Sequence, residues 1–99
     1  MTITSGYLTK LRRAVRRNTS TDVDAELTDI ISECKADLIN LGVAEAKVND
    51  ETDALILGAM RCFVRWKFGL SNDDAEANRA DYMLQRDELR RRVEYQEAE

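Results

Sequence analysis

The sequence has no histidine and no proline, and it has only two cysteines among its 99 residues. Without histidine, the commonest general base of enzymes is missing. A zinc site takes about four closely spaced ligands, and Cys34 and Cys62 are the only sulfur ligands on offer. Neither cysteine has a base partner at a suitable position, and no glycine-rich phosphate loop is present. These absences argue against an enzyme, and they predict no cofactor and no metal.

Long apolar runs are absent as well. The longest one covers residues 54–60 and stops at Arg61, whereas a membrane-spanning helix needs about 20 apolar residues. The N-terminal segment MTITSGYLTKLRR lacks the apolar centre of a signal peptide. The two cysteines are expected to be buried, reduced thiols, as in a reducing compartment. We therefore expect a soluble, intracellular, single-domain protein with no membrane partner, in which residues 1–4 and about 95–99 are flexible.

The charges form blocks of alternating sign, although the net charge is only −4. Residues 1–20 carry five basic side chains and no acid, whereas residues 21–55 carry ten acids and two lysines. Residues 61–67 add three basic side chains, and residues 73–99 combine nine acids with five arginines. A surface polarised in this way favours charge-steered or self-complementary assembly over general affinity for nucleic acid.

Apolar side chains recur at spacings of three and four residues, which predicts amphipathic helices and no strands. We expect an all-α fold, a small bundle of three to four helices over about residues 5–17, 22–41, 51–68 and 73–94. Residues 43–49 are expected to form a connector, either a loop or a short helical turn. The predicted inner stripe of the first helix consists of Tyr7, Leu8, Leu11 and Val15. That of the second helix consists of Leu27, Ile30, Ile31, Cys34, Leu38 and Leu41. That of the fourth helix consists of Ala75, Tyr82, Leu89 and Val93.

Glycines and short polar residues mark the expected helix ends. Gly42 and Gly69 lie where a helix C-terminus favours a residue in the left-handed conformation. The expected N-caps are Ser20 or Thr21 for the second helix, Asn49 or Asp50 for the third, and Ser71 or Asn72 for the fourth.

The third helix is apolar over most of its circumference, which predicts that it lies in the middle of the bundle. One stripe differs, because Ala54 and Gly58 are small while Arg61 and Arg65 are basic. Small side chains permit close approach, so we expect this stripe to meet an acidic surface, namely the second helix of the same chain or of a neighbour. Trp66 is expected in the core with its ring edge near the surface, and the alternative is an interface anchor.

Two arginine clusters are the candidate interaction residues. The first cluster, in the first helix, consists of Arg12, Arg13, Arg16 and Arg17. Three interpretations of this cluster stay open: a basic face that is solvated or pairs with the acidic second helix, a charge contact between subunits, and contact with DNA phosphates. The second cluster, at the end of the fourth helix, consists of Arg90, Arg91 and Arg92. Cations there complement the helix dipole, and contact with a partner protein is the alternative.

The third and fourth helices carry a resemblance to a known family. Residues 54–89 read ALILGAMRCFVRWKFGLSNDDAEANRADYMLQRDEL, in which an apolar helix closes on an aromatic, a basic residue and Phe-Gly. A short Ser-Asn-Asp cap and a charged helix with a central tyrosine follow. Together with the short first helix and the acid-capped second helix, this pattern resembles the head–tail connector (adaptor) proteins of tailed bacteriophages and prophages, often labelled DNA-packaging or head-completion proteins. The resemblance covers about residues 5–90, and it departs from the family in the unusually arginine-rich first helix.

The resemblance implies a structural protein of the virion neck, made in the bacterial cytoplasm, with no catalytic role. Proteins of this family are similar in forming a ring, usually dodecameric, below the portal protein, although several are monomeric in isolation. The ring extends the DNA channel, so DNA is only passing cargo, and it presents a surface for the next connector or tail protein.

A ring requires two unlike faces on each subunit, and the basic first helix and the acidic second helix supply two. We therefore expect Arg12, Arg13, Arg16 and Arg17 to face Asp29, Glu33 and Asp37 of a neighbouring subunit. The further interface candidates are Arg61, Arg65, Trp66, Arg90, Arg91 and Arg92.

Two other functions compete with this one. The first is a small DNA-binding or packaging accessory protein that uses the basic helix from Arg12 to Arg17, similar to the small subunit of a terminase. The acidic pI of about 4.9 argues against it, because DNA-binding domains usually carry net positive charge on their reading element. The second is a bacterial interaction module with a partner that the sequence does not identify.

Overall fold

A computed structural model of the chain describes residues 3–18, 20–69 and 73–96. Its helices are α1 (Ser5–Ala14), α2 (Thr21–Leu41), α3 (Glu45–Val48), α4 (Ala54–Lys67) and α5 (Ala75–Arg91), followed by a 3₁₀ turn at Val93–Tyr95. The described ranges contain no strand, and their only β-type pairing is a single bridge between Val43 and Gln96. The predicted all-α bundle is confirmed, with one short helix more than expected.

The apolar helix predicted to be central is central, because α4 packs against α1, α2 and α5. It forms an antiparallel hairpin with α5, in which Phe63 near the end of α4 meets Tyr82 in the first half of α5. The fully buried side chains of the core come from every helix and include Leu11, Leu27, Ile31, Leu38, Val43, Ile56, Met60, Val64, Tyr82 and Leu89. The predicted stripes of the first two helices therefore face the core.

The first helix ends at Ala14 rather than at residue 17, because Arg16 adopts a left-handed backbone with φ of 57°. The N–H of Arg16 bonds to the carbonyl of Arg13, and the N–H of Arg17 bonds to the carbonyl of Arg12. This pair of hydrogen bonds closes a helix C-terminus in the Schellman arrangement, which normally places glycine at the left-handed position. No residue type in this segment predicts the helix stop, because the residue that adopts the left-handed conformation is an arginine.

The second helix begins and ends as predicted. The hydroxyl of Ser20 accepts a hydrogen bond of 3.0 Å from the N–H of Val23, so Ser20 is the N-cap. Gly42 adopts a left-handed conformation with φ of 111° at the other end. There the N–H of Val43 bonds to the carbonyl of Leu38, which buries Val43 against the core. A hydrophobic contact of this kind commonly accompanies the left-handed helix stop.

The third predicted helix begins later than expected, at Ala54 instead of residue 51. Asp53 is the cap, because its Oδ1 accepts hydrogen bonds of 3.0 Å from the N–H groups of both Leu55 and Ile56. The expected cap Asp50 instead accepts hydrogen bonds from the backbone and the hydroxyl of Thr52, as in an Asx turn. Within the connector, residues 45–48 form the short helix α3.

The last long helix is shorter at both ends than predicted, running from 75 to 91 instead of from 73 to 94. Its expected caps Ser71 and Asn72 lie outside the described residues. Val93, expected on the inner stripe, is 78% exposed, because the helix has ended before it. Tyr95 is buried instead, although it was expected at the start of a flexible tail, and its hydroxyl donates to the Asp53 carboxylate at 2.7 Å.

Candidate interaction surface

The arginines of the first helix do not act as one surface. Arg12 points inward: its Nη1 lies 2.8 Å from Oδ1 of Asp24, and its Nη2 donates to the hydroxyl of Thr9 at 2.9 Å. The side chain of Arg12 is only 13% exposed. Arg12 therefore joins α1 to the acidic α2 within one chain, which favours the interpretation that this arginine pairs with the second helix of its own chain. Its contact with a neighbouring subunit stays a prediction.

The other three arginines, Arg13, Arg16 and Arg17, are exposed. Arg17 lies over the ring of Phe68, with 5.7 Å from its guanidinium carbon to the ring centroid. Within the described residues none of the three forms an ion pair. They lie where α1 turns away from the core, which leaves their guanidinium groups available to an anionic group from outside the chain.

A cleft of about 720 Å³ opens beside these arginines. It lies between the end of α1, the end of α4 and the start of α5, and its lining includes Arg16, Arg17, Arg65, Phe68, Asp74 and Asn78. Nε of Arg65 donates to the carbonyl of Ala14 at 3.0 Å, which ties α4 to the end of α1. The cleft thus combines three guanidinium groups and one carboxylate with the apolar ring of Phe68. Sequence reasoning missed this site, because it depends on the early stop of α1 at Arg16.

The acidic candidates of α2 also differ in their contacts. Asp29 and Glu33 are exposed, and neither forms an ion pair within the described residues. Asp37 was expected on the same outer face, but it accepts hydrogen bonds from Arg86 and Tyr82 of α5. A spacing of four residues overshoots the helical repeat of 3.6, so the third member of the series rotates towards α5. Asp37 therefore has its partners within its own chain.

The stripe of small and basic residues on α4 meets other partners than predicted. An added Cβ at Gly58 would lie 2.9 Å from Oε1 of Gln85, so the close approach is to α5 and not to the acidic α2. Ala54 and Arg61 are exposed at the surface. Arg65 reaches the backbone of α1, as described above. Gly58 therefore faces the hairpin partner of its own helix and not α2 of the same chain. The alternative contact of this stripe with α2 of a neighbouring subunit stays a prediction.

Trp66 belongs to the core cluster, as predicted, and it is partly buried. The rings of Trp66 and Phe63 lie edge-on, with 5.4 Å between their centroids. The ammonium group of Lys67 lies 4.2 Å from the centroid of the Trp66 ring. Lysine over the face of an aromatic ring is a favourable cation–π contact. The tryptophan is therefore a packing residue whose outer face is covered by the neighbouring lysine.

Both cysteines are buried and reduced, as predicted. Burial raises the pKa of Cys34 to about 12, which outweighs the lowering effect of the hydrogen bond to Tyr82. Burial also raises the pKa of Cys62, whose sulfur accepts a hydrogen bond of 3.1 Å from Nε2 of Gln85. A thiol that stays protonated is a poor nucleophile, so burial lowers the reactivity of both cysteines at neutral pH.

The C-terminal arginine cluster forms ion pairs along its own helix. Arg90 and Arg91 both contact the carboxylate of Asp87, at one and the same turn of α5. Arg92 lies 3.0 Å from Glu88 and 3.3 Å from Glu94. Their position in the last turn also matches the negative end of the helix dipole. These contacts favour the structural interpretation of the cluster.

Among the described residues, no group of three or more cysteine or acidic side chains is placed to hold a metal ion. No helix in the described ranges is long and apolar enough to cross a membrane. Comparisons of the chain with protein-family models, with curated proteins and with solved structures give no match.

Proposed function

We propose that this chain is a structural subunit of a head–tail connector in a tailed bacteriophage or prophage, with no catalytic role. In the virion neck it would form a ring below the portal protein, extend the DNA channel and bind the next connector or tail protein. The resemblance over residues 5–90 is the starting point of this proposal. The all-α bundle with a central apolar helix is compatible with it.

The observation that carries the proposal is the presence of two unlike charged faces that form no ion pair within the part of the chain that the structure describes. Contacts within a ring are heterologous, so each subunit must present one face to the left and a different one to the right. The exposed Arg13, with Arg16 and Arg17 beside it, supplies a basic face. Asp29 and Glu33 on α2 supply an acidic face.

The proposed contact between subunits therefore involves fewer residues than the sequence analysis predicted. We leave Arg12 and Asp37 out of the proposed contact, because each has a partner within its own chain. We assign the basic side of the contact to Arg13, Arg16 and Arg17, and the acidic side to Asp29 and Glu33.

Charge reversal of the basic face tests the proposal. The variant R13E/R17E should keep its helical content, because both side chains are exposed, and it should impair assembly of the ring or of the virion. The matched control is R79E, which reverses an exposed arginine that pairs with Glu76 on the same helix. Normal particle assembly with R13E/R17E would contradict the proposal, and loss of assembly with R79E would show that the effect is not specific.

A DNA-packaging accessory protein is the second candidate, because unpaired guanidinium groups also suit phosphates. A gel-shift titration over salt concentration distinguishes the two functions. A DNA-binding protein that uses Arg13, Arg16 and Arg17 would lose affinity with a log–log slope of about −3. A connector subunit should give no discrete shifted band at physiological salt.

A further inference from the structure

The α4–α5 hairpin has an outer side, which we call the hairpin face. Its central residues follow the helical spacing i, i+3, i+4 on both helices: Gly58, Arg61 and Cys62 on α4, and Asp81, Leu84 and Gln85 on α5. Arg61 and Asp81 are exposed, and Leu84 is 71% exposed. Nε2 of Gln85 donates to the sulfur of Cys62 at 3.1 Å, which joins the two helices across the face. The hairpin therefore presents an open surface that is two helices wide.

The two helices of the hairpin face carry charges of opposite sign. Arg61 lies on α4 and Asp81 on α5, and neither forms an ion pair in the part of the chain that the structure describes. Burial raises the pKa of Cys62, and the charge of Asp81 adds to this effect, so the Asp81 carboxylate lies near α4. A second copy, rotated by 180° about an axis parallel to the helices, would bring the basic side of each face over the acidic side of the other.

The positions along the helices fit this arrangement. An added Cβ at Gly58 would lie 2.9 Å from Oε1 of Gln85, so these two residues stand at about the same height along the hairpin. Arg61 lies three residues after Gly58, about 4.5 Å along α4. Asp81 lies four residues before Gln85, about 6 Å in the same direction, because the helices are antiparallel. The rotation keeps these heights, so Arg61 of each copy would face Asp81 of the other to within about 2 Å along the axis.

The shape of the hairpin face is self-complementary as well. Leu84 protrudes from α5 beside Gln85, and Gln85 stands at the height of Gly58, where α4 has no side chain. The same rotation places Leu84 of one copy opposite Gly58 of the other. Large side chains opposite small ones allow facing helices to interdigitate. Leu55, which is 40% exposed, extends the apolar area by one turn of α4.

The size of the hairpin face sets the expected strength of the contact. The 14 residues of α4 extend for about 21 Å, and two packed helices are about 20 Å wide. Each copy can therefore bury roughly 400 Å², which is half of the area of about 800 Å² per partner in a stable complex. We expect weak, reversible binding with a Kd between about 10 and 500 µM.

We infer that the hairpin face binds a second copy of this chain and forms a two-fold symmetric dimer. In this dimer α4 of each copy packs antiparallel to α5 of the other. The contacts of Arg61 with Asp81 and of Leu84 with Gly58 each occur twice. An isologous contact closes at two copies, whereas a ring contact is heterologous. The dimer therefore differs from the proposed ring, uses other residues and does not depend on the proposed function.

Sedimentation equilibrium of the full chain between about 10 µM and 1 mM tests the inference. We expect an equilibrium of monomer and dimer for the original chain. The variants R61E and D81R each place like charges at both contacts, so each variant alone should dimerise at least about tenfold more weakly. Both side chains are exposed, so circular dichroism should show the original helical content.

A mixture of the two variants is the most specific measurement. In a mixed pair, R61E of one copy meets D81R of the other, and the original Arg61 and Asp81 meet at the second contact. Both contacts are then attractive, so the mixture should regain the original affinity to within about threefold. Because Arg61 and Asp81 form no pair within one chain, this recovery requires two copies. A monomeric original chain at about 1 mM, single variants that dimerise normally, or no gain on mixing would each overturn the inference.

The apolar contact has its own matched pair of variants. Leu84→Gln removes the protruding side chain from the hairpin face and should weaken the dimer at least about fivefold. Val93→Gln is the control, because Val93 is 78% exposed but lies outside the face, and it should dimerise like the original chain. Equal affinities of these two variants would contradict the proposed dimer.

The variant R13E/R17E separates this dimer from the proposed ring contact. Both substitutions lie in the segment at the end of α1, outside the hairpin face, so we expect the dimer to persist at its original affinity. Loss of the dimer with R13E/R17E would assign self-association to the ring contact and would overturn the inference.

Discussion

The hydroxyl of Tyr82 donates a hydrogen bond of 2.6 Å to Oδ2 of Asp37, which joins α5 to α2 beside the core. The same oxygen accepts a hydrogen bond of 2.8 Å from Nε of Arg86. The sulfur of Cys34 lies 3.8 Å from the tyrosine hydroxyl. Because Tyr82 also packs edge-on against Phe63 of α4, this one side chain connects three helices.

Removal of the Tyr82 hydroxyl should therefore destabilise the fold. Tyr82→Phe keeps the ring packing and deletes the hydrogen bond to the Asp37 carboxylate, so we expect a loss of about 1–2 kcal/mol in the free energy of unfolding. Urea denaturation measures this loss of stability. The matched control is Tyr7→Phe, because Tyr7 is also buried and makes no side-chain hydrogen bond within the described residues. Equal effects of the two substitutions would contradict this role of Tyr82.

Asp37 should make the stability depend on pH. Its partial burial acts to raise the pKa, but the hydrogen bonds from Arg86 and Tyr82 and the charge of Arg86 outweigh burial, and the pKa is lowered from its ordinary 3.8. The carboxylate therefore stabilises the folded state above about pH 4, and this contribution is lost as the pH falls through the lowered value.

The variant D37N isolates this contribution. We expect the stability difference between the original chain and D37N to be largest near pH 6 and to shrink between pH 4 and pH 2. D87N is the control, because Asp87 pairs with arginines on the surface of its own helix, where ion pairs contribute little. A D37N difference that stays constant over this pH range would contradict the assignment.

Gly58 and Gln85 should be energetically coupled. Alanine in a helix interior is favoured over glycine by about 1 kcal/mol, but its Cβ would meet Oε1 of Gln85 at 2.9 Å. The amide of Gln85 donates a hydrogen bond to the Cys62 sulfur. The cost of moving this amide therefore reduces the stability gained from alanine. We expect Gly58→Ala to stabilise the original chain by less than about 0.5 kcal/mol and a Gln85→Ala background by about 1 kcal/mol. Thermal denaturation of the four chains measures the coupling, and strict additivity would contradict it.

Loss of the Arg16 side chain should stabilise the fold. Arg16→Gly relieves the left-handed strain at φ of 57°, and we expect the free energy of unfolding to rise by about 1 kcal/mol. Arg17→Gly, one residue further along, has no left-handed backbone to relieve and should give no gain. Chemical denaturation of both variants is the measurement. A loss of stability with Arg16→Gly would show that the arginine side chain supports the fold itself.

The sequence predicted the architecture well because apolar spacing carries most of that information. The stripes of the first two helices, the central helix, the Ser20 cap and the left-handed Gly42 follow from local rules of periodicity and capping. The predicted start of the third helix was wrong because two capping signals lie close together in the sequence. Asp50 and Asp53 are both suitable caps, and in the structure Asp53 caps α4 while Val48 and Ile56 on either side are buried in the core.

The candidate interface was harder to predict, because charge alone does not show where a side chain points. Arg12 and Arg13 are adjacent in sequence, yet one pairs with Asp24 and the other is exposed. Asp37 continues the spacing of Asp29 and Glu33, yet it turns towards α5. The cleft depends on a left-handed arginine, which no pattern of residue types indicates. Helix faces were predictable, whereas pairings between helices required three-dimensional structure.

Cryo-electron microscopy of the neck of the parent particle tests the proposed function most directly. We expect a closed ring of this chain below the portal protein, with Arg13 of each subunit near Asp29 and Glu33 of the next. A neck that lacks the chain, or a ring in which these residues face solvent, would contradict it.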